Sequence, residues 1–276
     1  MSTYLEDLIR GSYRRVEQAR AAEPLASLRA RAQALPPPPS FIDALSGPGV
    51  AVIAEVKRAS PSKGPLAPGI DAKQQARAYL DAGASAVSVL TEPDRFDGSL
   101  TDLAEVASLG RPSLRKDFLV DPYQVWEARL AGASAILLIV AALDEATLVE
   151  LHEEAQQAGL AALVEIHDEA EVERAHQIGA RVVGINARDL RTFEMDHEAF
   201  ARLRPRLPQG CIAIAESGIT GPDDVRRAAR KGADAVLVGQ TAVTATDPRQ
   251  IVAALVEAGR DELAPDGAAK LRQRGK

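Results

Sequence analysis

Five apolar runs in this chain end in residues that can move protons or hold charge. Glu55 and Lys57 close IAEVK, Lys116 closes SLRK, Glu165 follows ALV, Asn186 and Arg188 follow VGI, and Glu216 closes IAIAE. Side chains alternate across an extended strand, so Ile53, Glu55 and Lys57 share one face while Ala54 and Val56 share the other. The same parity groups Leu114, Lys116 and Phe118, Leu163 with Glu165, Gly184 with Asn186 and Arg188, and Ile214 with Glu216. A lone lysine at such a place is ordinarily a solvated stem, but a buried ammonium or carboxylate is costly unless it pairs or serves a ligand. Strand ends of this kind converging on one rim predict a site where such groups act as acids and bases, or where a lysine attacks a carbonyl. Two further segments, ESGI and VGQT, put Gly218 and Gly239 where backbone must approach something closely. Amides there can cradle a phosphate at a helix start; plain strand-to-helix turns are the alternative.

The elements that must position these residues are legible in a weak internal repeat, DAGASAVSVL, LAGASAILLI, QIGARVVGI and KGADAVLVG, with QAGLAALVE related. Each copy reads as a helix, a glycine stop (Gly83, Gly132, Gly159, Gly179, Gly232) and a strand buried on both faces. Filling the gaps predicts strands near Val50–Val56, Ala86–Leu90, Ser113–Lys116, Ala135–Ile139, Ala162–Glu165, Val182–Ile185, Cys211–Ala215 and Ala235–Val238. Helical patterns fall between them at Gln75–Leu80, Pro122–Leu130, Glu145–Gln157, Glu169–Ile178 and Pro222–Arg230. Alternating units of this number predict an α/β fold, a (β/α)8 TIM barrel, whose sites form at the C-terminal strand ends. An open doubly wound sheet is the rival architecture. Residues 1–47 read as an N-terminal helical extension with two helical stretches and the stiff connector PPPPS. Residues 48–260 are the barrel, and 261–276 are expected to form a flexible tail.

A length of 276 residues, 46% of them hydrophobic, suits one barrel of about 250 residues rather than two domains. The net charge of −6 is mixed along the chain without a single-sign block, which argues against nucleic-acid and membrane-surface partners. The N-terminus lacks the apolar stretch of a secretory signal, so a cytoplasmic location is expected. Cys211, the one cysteine, lies in an apolar run and reads as a core residue. The four histidines lack metal-ligand spacing, so no metal is expected.

The segments IAEVKRASPSKG, LTE followed by FDGSL, LRKDF, LLIVAAL, LVEIHD, GINARDL, IAESGI and ADAVLVG stand in that order at the expected places in the units. Together they resemble the indole-3-glycerol-phosphate synthase family, over about residues 1–260. The resemblance implies a carboxy-lyase of tryptophan biosynthesis that closes the indole ring of 1-(2-carboxyphenylamino)-1-deoxyribulose 5-phosphate, releasing carbon dioxide and water without a cofactor. It also implies that Lys116 is the general acid, its pKa brought down from about 10.4 by neighbouring positive charge or burial. Glu165 becomes the base, Lys57 a second acid or anion holder, and Glu55 and Glu216 orient the lysines and substrate hydroxyls. Ser60, Phe96, Phe118, Asn186 and Arg188 become substrate contacts, and Ser217, Gly218, Gly239 and Gln240 hold the phosphate through backbone donors. Tyr4 and Leu5 help to cover the site, and a monomer is expected. Gln240 and Thr241 depart from the family, where Glu or Ser commonly follows the last glycine; the amide survives the change.

Three other readings compete. Phosphoribosylanthranilate isomerase shares the phosphate loops but uses a Cys at the end of strand one and an Asp at strand six, where this chain has Glu55, Lys57 and Asn186. A Schiff-base aldolase would need Lys116 with a depressed pKa. A non-catalytic phosphate-binding barrel would have no use for so many charges at its mouth.

Overall fold

Short, largely buried runs form β1 (Ala51–Val56), β2 (Ala86–Leu90), β3 (Ser113–Lys116), β4 (Ala135–Ile139), β5 (Ala161–Ile166), β6 (Val182–Asn186), β7 (Ile212–Glu216) and β8 (Ala235–Val238), all mainly β-branched and apolar except β3, SLRK. In the computed structural model, which describes residues 4–61, 63–190 and 192–261, all eight pair in parallel with their sequence neighbours. β1 also pairs with β8, Ile53 opposite Leu237, which closes the barrel. A closed parallel barrel has no edge strand to protect, and the doubly wound alternative is excluded. Ile53, Leu114, Leu137, Leu163, Ile214 and Leu237 fill the interior. Val52, Val87, Ile136, Val164, Val183 and Val236 face outward into a second cluster with Tyr79, Trp126, Leu151 and Leu255 of the helices. Each such side chain removed from water stabilises the fold by about 1.5–3 kcal/mol before entropy is counted.

The outer helices are α4 (Ala72–Asp81), α5 (Pro93–Phe96), α6 (Leu100–Ala107), α7 (Pro122–Leu130), α8 (Glu145–Gln157), α9 (Glu169–Gln177), α10 (Ala199–Leu203), α11 (Pro222–Arg230), α12 (Gln240–Val243) and α13 (Pro248–Asp261). Their starts are set by acidic or hydroxyl caps: Asp71, Ser99, Asp144 and Asp168 each accept the amide three residues on. All five predicted glycine stops lie two or three residues before a barrel strand, and all five have positive φ. Cys211 is buried, one residue before β7.

The N-terminal segment holds three helices where two are predicted: α1 (Tyr4–Ala22), α2 (Leu25–Gln33) and α3 (Phe41–Leu45). The last escapes sequence reading because five residues are too short for periodicity; Ser40 caps it through the Asp43 amide. Phe41 and Leu45 belong to the interior cluster; Phe41 also lines a groove with Ala161 and Val182 at the N-terminal strand ends, while α1 sends Leu5 and Leu8 to the opposite mouth. The segment is clamped to the barrel through α7. Tyr123 donates its hydroxyl to the carbonyls of Ala19 and Glu23, and Arg129 donates to those of Leu35 and Pro36. The predicted tail lies outside the described residues except for Asp261, which ends α13. Among the described residues, no helix is long and apolar enough to cross a membrane.

Candidate active site

The C-terminal strand ends surround a cavity of about 280 Å³, and every site residue named from the sequence lines it. Parity explains the convergence. Glu55, Lys116, Glu165, Asn186 and Glu216 each continue an inward-facing row begun by an interior residue such as Ile53, Leu114 or Ile214. Ser60 enters from a short antiparallel pair, Ala59–Ser60 with Gly64–Pro65, that follows β1. Arg58 anchors that loop with a forked pair of bonds to Asp102, 2.6 and 2.7 Å long.

Charge is arranged as two lysines among three buried glutamates. Lys116 Nζ donates to Glu216 Oε2 at 3.1 Å and Glu165 Oε2 at 3.3 Å. Lys57 Nζ donates to Glu55 Oε1 at 2.6 Å, and the buried Ser88 hydroxyl approaches Glu55 Oε2 at 3.3 Å. Two glycines make this density possible. A Cβ on Gly184 would overlap Glu216 Oε1, and one on Gly239 would overlap Glu55 Oε1 and lie 2.8 Å from Lys57 Nζ. Gly239 is therefore required by these side chains as well as by any anion above it, and its φ of −108° makes no special demand.

The expected depression of the Lys116 pKa is overturned. Burial alone would lower it, but the carboxylates of Glu216, Glu165 and Glu55 together push it above the ordinary lysine range. The sequence puts Lys57 and Lys116 on one rim but does not show that carboxylates stand closest to Lys116. Glu216 is pushed up to about 7, by burial first and by the Glu165 charge, against the pull of Lys116. Burial acts on Glu165 in the same direction, yet Lys116 and His167 outweigh it and hold its carboxyl below the usual range. Side by side, the two carboxyls are thus driven apart, one ready to accept a proton and one ready to carry one.

Apolar walls complete the cavity. Phe118 and Phe96 are 6.3 Å apart between ring centroids and tilted by 36°. Tyr4 packs edge-on against Phe193 at 5.2 Å, and Leu8 joins Tyr4 and Leu5 from α1. Arg15 of α1 reaches Glu92 Oε1 at 3.4 Å and Asp117 Oδ1 at 3.6 Å, tying the cover to the loops after β2 and β3. Leu8, Leu190 and Phe193 are lining residues that the sequence reading missed. Leu190 and Phe193 lie in the loop after β6, where side chains follow no strand parity, and Phe193 has a left-handed φ of 62°.

On the far side, Ser217 and Gly218 have φ of 64° and 76°, a tight left-handed turn directly after β7. Asn186 Oδ1 accepts both the Ser217 hydroxyl at 2.8 Å and the Arg188 amide at 3.0 Å, so this side chain organises the loops after β6 and β7. Thr241, singled out as a departure, donates its hydroxyl to the Ile219 carbonyl at 2.8 Å and links the β7 loop to α12. Among the described residues, no group of three His, Cys, Asp or Glu side chains is placed to share a metal ion.

An ammonium held between carboxylates of unequal proton affinity, beside a second lysine–glutamate pair and an aromatic wall, can exchange protons with an aromatic substrate. The family model described as indole-3-glycerol phosphate synthase matches residues 5–255. The chain is 52% identical over 265 residues to the indole-3-glycerol phosphate synthase of Mycobacterium sp. (strain KMS), covering 96% of this chain and 97% of that one. It is 53% identical over 236 residues to the Parafrankia protein of the same name, covering 85% and 88% of the two chains. Among solved structures, 3-hexulose-6-phosphate synthase from Salmonella typhimurium superposes with a TM-score of 0.61 at 15% identity, over 77% of this chain and all (100%) of that one, a likeness of fold. The chain belongs to the indole-3-glycerol phosphate synthase family.

Proposed function

We propose that this rim closes the indole ring of 1-(2-carboxyphenylamino)-1-deoxyribulose 5-phosphate, giving indole-3-glycerol phosphate, carbon dioxide and water. The observation that carries the assignment of roles is the Lys116 ammonium fixed between Glu165 and Glu216, with the Lys57–Glu55 pair in the same cavity. The ring carbon bearing the carboxylate attacks the ketone, and negative charge develops on the ketone oxygen. A lysine kept fully protonated by its neighbours stabilises that charge and then delivers the proton. Loss of carbon dioxide restores the aromatic ring. Dehydration follows, with Glu165 taking a proton and Lys57 protonating the departing hydroxyl.

The remaining groups bind. Phe96 and Phe118 face the anthranilate ring, and Ser60, Asn186 and Arg188 serve its carboxylate and nearby hydroxyls. Backbone donors of Ser217, Gly218, Gly239 and Gln240 hold the phosphate. Glu55 and Glu216 orient the lysines. Every proton transfer falls to a protein side chain, so the scheme calls for no cofactor. A Schiff-base role for Lys116 is disfavoured, since it needs a neutral amine where three carboxylates favour the ammonium. We take the working enzyme to be a cytoplasmic monomer with a soluble phosphorylated substrate and no nucleic-acid or membrane partner, in keeping with its mixed surface charge.

The test is indole fluorescence after the purified protein is mixed with that substrate in EDTA. A rise matched by carbon dioxide release supports the reading. Substrate binding without a rise would instead favour the non-catalytic barrel.

A further inference from the structure

His167 follows β5 directly and shares the inward parity of Glu165, yet it does not line the cavity. Its side chain is pinned from behind. Glu171 Oε2 accepts the His167 backbone amide at 2.7 Å and faces ring Nδ1 at 3.1 Å. Glu171 is itself placed by the start of α9, where the Asp168 cap accepts its amide at 3.0 Å. With Nδ1 committed to that carboxylate as a donor, Nε2 points at Glu165 Oε1 from 3.6 Å. Both of these atoms are buried and neither has a hydrogen-bond partner among the described residues. Without a proton between them, a ring lone pair would face a carboxylate oxygen in a site of low dielectric, a repulsive contact.

We propose that His167, oriented by Glu171, is a positioning residue for Glu165: its Nε2–H holds the back of the carboxylate so that the front stays opposed to Lys116. The inference rests on the assignment of Glu165 as the base. The charged groups that face the ring are Glu165 on β5, Glu171 on α9 and Glu216 on β7, with Lys116 of β3 beyond Glu165. Three carboxylates against one ammonium favour the imidazolium, and the ring pKa is raised although burial opposes it. Each oxygen of Glu165 then faces one cation, Oε2 the Lys116 ammonium and Oε1 the imidazolium. The carboxylate remains ionised at neutral pH, and its orientation does not depend on Lys116 alone while that residue works on substrate.

Three variants separate this role from packing. His167→Asn keeps an amide near the Nδ1 position and loses Nε2, His167→Gln returns a neutral donor towards Glu165, and Glu171→Gln loosens the clamp. For each, kcat and KM are measured across pH on the whole enzyme, with Glu165→Gln and wild type alongside and heat unfolding as a fold control. In His167→Asn, kcat should fall on the order of tenfold, less than the 10²–10⁴ that a general acid or base is worth, with KM little changed. Its acid limb should move to higher pH by about one unit, because Glu165 loses a neighbouring positive charge. His167→Gln should recover part of kcat, and Glu171→Gln should lie between. A folded His167→Asn with an unmoved acid limb overturns the inference; if that variant does not fold, the same limb in the other two decides. Wild type that fails to turn over, or Glu165→Gln that keeps its kcat, overturns the assignment of Glu165, and this inference with it.

Discussion

Gly184→Ala is a one-methyl change with a consequence at the reacting groups. Gly184 is not among the glycines with positive φ, so its backbone would accept an alanine; what it lacks is space. The new Cβ would overlap Glu216 Oε1 and lie 3.0 Å from Glu216 Cδ and 3.1 Å from Leu163 Cδ1. To reach ordinary contact the carboxylate must retreat by roughly 1 Å, enough to break a 3.1 Å hydrogen bond to Lys116. A misplacement of about 1 Å can cost on the order of 10²-fold in rate, or about 2.7 kcal/mol of transition-state stabilisation. Overpacking should also destabilise the fold by about 1–3 kcal/mol. The assay is steady-state indole formation in a double-mutant cycle with Glu216→Ala. In that background the displaced carboxylate is absent, and adding Gly184→Ala should cost little more. Equal losses in both backgrounds, or a Gly184→Ala enzyme within about twofold of wild type, would refute the claim that this glycine exists to seat Glu216.

The pKa of Glu216 makes a prediction about stability. An unfolded glutamate titrates near about 4.3, whereas the folded group is pushed up to about 7. Between those values the folded state binds more protons, so this group's contribution weakens as pH rises. The melting temperature of Glu216→Gln minus that of wild type should therefore increase from pH 5 to pH 8, and a constant difference would contradict the raised pKa. Thr241→Val removes the hydroxyl bond to Ile219 that joins the two phosphate-side loops. It should raise KM severalfold, cost about 1 kcal/mol of stability and leave kcat nearly unchanged. An unmoved KM would separate that link from phosphate binding.

The strands and the inward set could be read in advance because a strand buried on both faces combines a continuous apolar run with strict period two. Glu55, Lys116, Glu165 and Glu216 followed from Ile53, Leu114, Leu163 and Ile214 by counting in twos. Short helices were less legible. α5, α10 and α12 have four or five residues each, too few to show a period. Gly259 lies within α13, where a Cβ would overlap the Val50 carbonyl oxygen and its own carbonyl accepts the Val50 amide at 2.9 Å. A glycine kept for close approach and one kept to end a helix look alike in a sequence. The electrostatics were legible only in part. Spacing puts Lys116 and the glutamates on one rim, but which charge lies nearest depends on side chains crossing the barrel. His167 carried a faint signal, two residues from Glu165 and four from Glu171, that gains meaning only once β5 is seen to end between them.

The central claim is that the Lys116 ammonium, held charged between Glu165 and Glu216, drives ring closure. It is tested most directly by single-turnover indole fluorescence of Lys116→Ala against wild type in EDTA at saturating substrate. The account predicts that the variant still binds substrate and loses about 10²–10⁴-fold in the rate of indole formation. A variant that binds as before and forms indole within about tenfold of wild type would contradict it.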